Sequence, residues 1–537
     1  MTGSAPTSPI PEDVVVRPEA RRPITDPTLG IPVTVQRVGS PRHRLVAIGD
    51  SLTHGFQSGA IFNTHLAYPV LVAHALGWSQ QFRFPTYGGP GDGLPLNLER
   101  LAREIDRRFG ATIDAWDLLP TLTFLRGFLD EIEDYWEREA GATLPTGLGI
   151  NHNLAVYGWD LRNTLSRNAD HCQQVLQANP AKDDFLRQVV EFHNERAALR
   201  VLNTARDSSG KALSPLEAAA ALGAAGTLET STGDGIETLI VLIGANNALG
   251  SILQFKVEWT GADYDDMAQN DRYTVWRPIH FQAELDRIVA AIRQIPVRHV
   301  IFGTVPHVTI APFARGVATK VQPGSRYFPY YTLPWISDQD FNPKKHPHIT
   351  EGEARAIDSA IDQYNDGITE AVRQARLAGK DWYLLETAGL LDRLAARRYL
   401  KDPAACPSWW QEVGGAYPLP APLQALDPVP DSRFYLSNAQ GRIQGGLFSL
   451  DGIHPTTIGY GILAQEIIKI MELAGVNFYH QDGVTLRSSP VQIDFNRLIA
   501  LDTLISDPPR TVASVFDRIG WLDSNFNLIN TMTRSSY

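Results

Sequence analysis

The sequence predicts an α/β protein built on a doubly wound parallel sheet. Three observations carry that prediction. Short runs rich in β-branched residues and leucine recur along the chain, the clearest being Thr238-Leu239-Ile240-Val241-Leu242-Ile243-Gly244. A continuous apolar run of that kind is what a strand buried on both faces looks like. Segments of helical character separate these runs, and strand–helix alternation marks a parallel sheet covered on both sides. Several runs also end on Gly, Asp, Ser or Asn, which places polar residues at the carboxyl ends of strands, where open α/β sheets hold ligands.

Composition sets the bounds. With 537 residues the chain has room for two or three average domains, or for one domain with large insertions. A hydrophobic fraction of 43% and a charged fraction of 20% describe an ordinary globular core. There are 48 basic residues against 59 acidic ones, a formal net charge of -11, and no Lys/Arg stripe, which argues against nucleic acid as a partner. No apolar stretch reaches membrane-spanning length, and no apolar run of signal-peptide length opens the chain, so a cytoplasmic protein is the default expectation. The only cysteines, Cys172 and Cys406, exclude a disulfide framework and read as buried free thiols.

Taken in order, residues 1–42 are rich in proline and read as an extended arm. Leu45-Val46-Ala47-Ile48 is the first strand and runs into Gly49-Asp50-Ser51, followed by a helix over 66–76. The glycine-rich loop at 87–93 lacks the Gly-Lys-Ser/Thr of a phosphate loop. It opens an insertion, around 80–149, with helical segments at 97–109 and 122–139. The second strand is expected at Asn153-Leu154-Ala155-Val156-Tyr157-Gly158, with helices over 184–207 and 215–225, and the third at 238–244. A second insertion, around 250–278, precedes a helix over 281–294 and a fourth strand at 298–304. An aromatic, proline-rich insertion around 305–350 leads to a helix over 351–377 and a fifth strand at 382–386. The irregular stretch 392–444 comes before Asp451-Gly452-Ile453-His454-Pro455, which opens a helix over 457–473. The body of the protein is thus read as 43–475, with 476–537 as a C-terminal extension.

Four strand-end features point to chemistry. A serine hydroxyl needs a neighbouring base to act as a nucleophile, and a strand-to-helix turn exposes Ser51 beside unpaired backbone N–H groups that suit an oxyanion. On this stretch alone, a capped turn and a nucleophile are equally good readings. The three-residue spacing of Asp451 and His454 suits a loop in which a carboxylate orients an imidazole. Gly158 has no side chain to block its backbone N–H, and Asn246 carries an amide able to donate a further hydrogen bond. Each is ordinary turn chemistry by itself; together they divide the labour of acyl transfer.

With these blocks in hand, the sequence resembles the SGNH, or GDSL, hydrolase family. Gly49-Asp50-Ser51-Leu52 matches the nucleophile block, Asn153 to Gly158 the glycine block, Gly244-Ala245-Asn246-Asn247 the asparagine block, and Asp451-Gly452-Ile453-His454-Pro455 the acid–base block. The resemblance implies a three-layer α/β/α sandwich with a five-stranded parallel, flavodoxin-like sheet. It implies Ser51 as nucleophile, His454 as base and Asp451 as its orienting acid, with Ser51, Gly158 and Asn246 forming the oxyanion hole. It also implies cleavage of a small-molecule or lipid-like carboxylic ester through an acyl-enzyme, without metal or cofactor. Asn247 departs from the pattern, since the family usually has Asp there. The rivals are a non-catalytic binding or scaffold protein retaining the fold, and a deacetylase or lysophospholipase of the same family. His54 reads as a polar turn residue, His307 as a residue at the same sheet edge, and His346 with His348 as a solvated loop. The aromatic stretches 259–276 and 327–335 are expected either to cap the pocket or to pack as a satellite core.

Overall fold

Four parallel strands form the central sheet of the computed structural model, which describes residues 9–515 apart from 36, 113–117, 148 and 182–188. They are β1 (His43–Gly49), β2 (Ile236–Leu242), β3 (Val297–Gly303) and β4 (Trp382–Leu385), hydrogen-bonded in that order. The register sets Ile48 beside Val241 and Val241 beside Phe302. Alternation then sorts the side chains. Val46, Ile48, Leu239, Val241 and Phe302 enter one apolar layer, whereas Leu45, Ala47, Ile240, Leu242 and Ile301 enter another. Both faces are buried, which is why the strand sequences are continuously apolar.

Helices supply the two outer layers. The first α-helix, α1 (Ser51–His54), is a single turn after β1, and α2 (Tyr68–Ala75) packs on the Leu45 side. On the Val46 side lie α3 (Pro215–Gly223), α4 (Asn246–Leu253), α5 (Pro278–Ile292) and α6 (Glu351–Leu377). The short α7 (Thr387–Leu394) follows β4, and α8 (Thr457–Leu473) joins α2 on the Leu45 side. Local sequence sets the starts of these helices. Ser214 with Glu217, and Thr350 with Glu353, close reciprocal capping boxes on α3 and α6, each satisfying amides that the first turn leaves open.

The strand expected at 153–158, second in the chain, is seen as a bridged segment beside β1. Asn153 makes one isolated parallel bridge with Ala47; the Leu154 amide donates to the Ala47 carbonyl at 2.8 Å, and that of Val156 to Gly49 at 3.3 Å. The segment turns away after Val156, Gly158 having φ 76°, and the Asn153 side chain ties it to the turn after β1. Its Oδ1 accepts the Ala155 amide at 3.2 Å and its Nδ2 donates to the Thr53 carbonyl at 2.9 Å.

Outside the sheet, the arm from residue 9 lies along the body with Val14 and Ala20 buried, the Trp409 indole donating to the Ala20 carbonyl at 2.9 Å. In the first insertion, Leu94–Pro95 pairs with Ala60–Ile61, which pairs with Phe56–Gln57. Phe128, Ile132 and Trp136 of the helix Leu118–Glu137 pack there against Tyr157. The expected helix over 184–207 is seen as His193–Leu202. Residues 184–188 of it lie outside the described residues, as do 1–8 of the arm and 516–537 of the C-terminal extension. Among the described residues, no helix is long and apolar enough to cross a membrane.

Gly49 is where the sheet constrains the turn most tightly. A Cβ there would strike the Leu242 carbonyl on β2 and the Thr53 side chain, and the strand backbone has little room to yield. Gly49→Ala is expected to lower the unfolding free energy by about 1–3 kcal/mol, read as a lower urea midpoint; an unchanged midpoint would contradict this packing.

Candidate functional site

The site begins where β1 stops. Asp50 caps α1, its carboxylate accepting the Leu52 amide at 3.1 Å and also the Ala245 amide. Ser51 is therefore the first helical residue, and its N–H is among those a helix leaves without an intrahelical acceptor. Gly55, at φ 98°, ends the turn in a conformation that favours glycine.

Ser51 Oγ lies 2.8 Å from His454 Nε2, and His454 Nδ1 lies 3.0 Å from Asp451 Oδ2. Asp451 also accepts the amides of Ile453 at 2.8 Å and His454 at 2.9 Å on Oδ1, a side-chain turn that folds the loop around its own carboxylate. Burial works against this charge, but His454 and the two amides more than offset it and hold the carboxyl below its ordinary range. An ionised Asp451 fixes the proton of a neutral His454 on Nδ1 and leaves Nε2 to accept from the serine hydroxyl.

A turn that sequence reasoning passed over holds this relay in place. The Gly59 amide donates to Asp451 Oδ2 at 3.0 Å, the Ser58 amide to Ser449 Oγ at 2.8 Å, and the Leu450 amide to Ser58 Oγ at 3.3 Å. Ser58 and Gly59 both have positive φ, 51° and 80°. The Ser-Gly dipeptide was the available signal, since it marks tight turns. Phe56 lies against the His454 ring, with centroids 4.6 Å apart.

The remaining sequence-predicted residues reach the Asp50–Gly55 turn through their neighbours, Tyr157 bonding to His54 and Ala245 to Asp50. Gly158 has φ 76°, and a Cβ on it would strike the Asn194 side-chain amide. Asn246 Nδ2 donates one proton to the Trp159 carbonyl at 2.8 Å, tying the asparagine block to the glycine block, and an amide nitrogen has a second proton to give. Asn247 is fully buried, and its Oδ1 accepts the Leu161 amide at 3.4 Å, so the acceptor that an Asp would supply is retained.

His54 is a positioning group rather than a surface turn residue. It is fully buried, and burial pushes its pKa down to about 3. Neutral, it accepts the Tyr157 amide on Nδ1 at 3.2 Å and donates from Nε2 to the Tyr87 hydroxyl at 2.9 Å, which donates to the Ala197 carbonyl at 3.1 Å. His54 thus anchors the residue before Gly158.

A cavity of about 180 Å³ opens beside Ser51 and His454. His307 lines it, with Nε2 3.0 Å from Asp362 and Nδ1 3.2 Å from Asp392. Burial disfavours its charge, yet Asp392, Asp358 and Asp362 outweigh burial and push its pKa up to about 10. The aromatic stretches do not cap this cavity. Nor do they form a satellite core: Trp276, Tyr327 and Tyr331 are buried in the main apolar layer on the Val46 side of the sheet, and the Tyr327 hydroxyl donates to Asp358 at 3.0 Å. His348 Nδ1 binds the His346 carbonyl at 2.9 Å, and among the described residues no group of three His, Cys, Asp or Glu is placed to hold a metal ion. Cys172 and Cys406 are free, the first buried and the second partly so.

Fold and site together define an α/β protein with a Ser–His–Asp relay at the carboxyl edge of a parallel sheet. Compared with known proteins, the chain matches no family model and no curated sequence.

Asp50 gives the site a pH signature. Burial pushes its carboxyl from 3.8 up to about 6, against the pull of the Leu52 amide and His454. A folded pKa above the unfolded one favours the protonated form in the fold, so this contribution is complete below about pH 4 and is lost as pH rises through about 6. Asp50→Asn removes the proton-linked loss. Relative to wild type, its unfolding free energy is expected to rise by on the order of 3 kcal/mol between pH 4 and pH 8. Urea unfolding at a series of pH values measures this, and parallel curves for the two proteins would exclude it.

Proposed function

We propose that the protein is a serine hydrolase of the SGNH, or GDSL, type that cleaves carboxylic esters through an acyl-enzyme on Ser51. The observation that carries this reading is the continuous hydrogen-bonded relay from Ser51 through His454 to Asp451. Topology supports it. If the bridged segment 153–158 is counted as the second strand, its place outside β1 gives the order 2-1-3-4-5 of flavodoxin-like sheets. Ser51 then stands at the switch point of that order, where such sheets bind ligands.

In this reading Ser51 Oγ attacks the ester carbonyl while His454 Nε2 takes its proton. The tetrahedral oxyanion accepts hydrogen bonds from the Ser51 and Gly158 amides and from the second amide proton of Asn246. His454 then returns the proton to the departing alcohol, leaving the acyl group on Ser51. Water, deprotonated by His454, attacks the acyl-enzyme, and collapse frees the acid and restores the serine. Asp451 stays ionised throughout, holding the tautomer and stabilising the imidazolium.

A fluorophosphonate probe is expected to label wild-type protein at Ser51 and to leave Ser51→Ala unlabelled. With p-nitrophenyl esters, Ser51→Ala and His454→Ala should each lose about 10³-fold or more in kcat/KM. An unlabelled wild type with no ester turnover would sink the hydrolase reading and favour a binding protein.

A further inference from the structure

The cavity beside Ser51 crosses the whole carboxyl edge of the sheet. From Ser51 after β1 its wall continues through Leu242 and Ile243 at the end of β2 and Val305 after β3 to Leu390 and Leu394 of α7, beyond β4. Three interstrand spacings make that path roughly 14 Å long. Leu447, Phe448 and residues of α8 close it from above.

Besides Ser51 and His454, the polar side chains on this wall are Asp50, Thr304, His307, Thr387 and Ser432, and each is already engaged inside the protein. Asp50 accepts the Leu52 and Ala245 amides. Thr304 Oγ1 accepts the Ala388 amide at 2.9 Å, and Thr387 donates to the Thr304 carbonyl. His307 has a carboxylate at each ring nitrogen. Ser432 Oγ accepts the Ala396 amide at 2.8 Å and donates to the Leu394 carbonyl at 2.7 Å. The rest of the wall is predominantly aliphatic, so a hydroxylated substituent entering it would lose water and find few replacement hydrogen bonds.

Resting on the hydrolase reading above, we infer that this cavity receives the acyl part of the substrate and that the acyl group is an unbranched aliphatic chain of medium length. An extended alkyl chain advances about 1.25 Å per bond, so the path holds about eleven bonds, a chain of about ten to twelve carbons. A sugar O-acetyl group would leave most of it unfilled. α7 closes the far end, and Leu394 is the residue that sets the length.

The test is a chain-length series of p-nitrophenyl acetate, butyrate, octanoate, decanoate and palmitate. Each buried methylene is worth about fourfold, so kcat/KM for octanoate or decanoate should exceed that for acetate by about 100-fold or more and fall again at palmitate. Leu394→Trp should move the optimum toward butyrate; should that variant not fold, Leu394→Ala should move it beyond decanoate. If Ser51 is labelled by the fluorophosphonate but the profile is flat or peaks at acetate, the cavity inference is overturned and the hydrolase reading stands. If Ser51 is not labelled, the hydrolase reading itself falls. An optimum at medium length that neither Leu394 variant moves removes Leu394 as the determinant of length.

Discussion

A single largely buried carboxylate holds the site together. Asp451 accepts from the His454 ring and from the amides of His454, Ile453 and Gly59, and the last of these comes from a turn 392 residues away in sequence. An ion out of water is tolerated only when paired and hydrogen-bonded. Here the donors that satisfy it are the ones that shape the base loop and join it to the chain just after Ser51. The geometry of the relay and the solvation of Asp451 are thus one arrangement.

Much of this was legible in the sequence because the relevant signals are local. Four of the five expected strands announce themselves as short apolar runs, and their endings at Gly49, Leu242, Gly303 and Leu385 place the polar residues on one edge. Ser51, Asp451 and His454 could be singled out only in combination, since each alone reads as ordinary turn chemistry. Asp451 and His454 sit beside Gly452 and Pro455, and Ser51 follows two residues after Gly49. The segment 153–158 has the apolar pattern of a strand and keeps backbone bonds to β1 through Leu154 and Val156, but it turns away at Gly158 before a regular ladder is built. The role of His54 was not visible. A histidine after a turn looks solvated until the fold surrounds it with Tyr157 and Tyr87. The Ser58–Gly59 turn was out of reach for a different reason: what it does depends on a partner far along the chain.

The additions to the sheet do different work from what their composition suggests. The aromatic stretches fill cores with their rings and spend their polar tips on buried partners, as Tyr327 does on Asp358. The first insertion instead packs Trp136 and Phe128 behind Tyr157, next to Gly158. It thereby backs Tyr157, whose amide is held by His54. Chain added in loops has been used here as support for the strand ends.

The C-terminal extension shows a consequence for how the molecule is made. Asp502 accepts the amide of Ile458 at 2.9 Å, four residues beyond His454, and the hydroxyl of Ser437 donates to the Pro509 carbonyl at 2.5 Å. The base loop is therefore braced by nearly the last of the described chain. At ordinary synthesis rates, the 403 residues separating Ser51 from His454 take about 20–80 s to emerge. Throughout that interval Ser51 has no His454 imidazole beside it. The relay can close only after the loop carrying His454 has followed the strand end that carries Ser51 out of the ribosome.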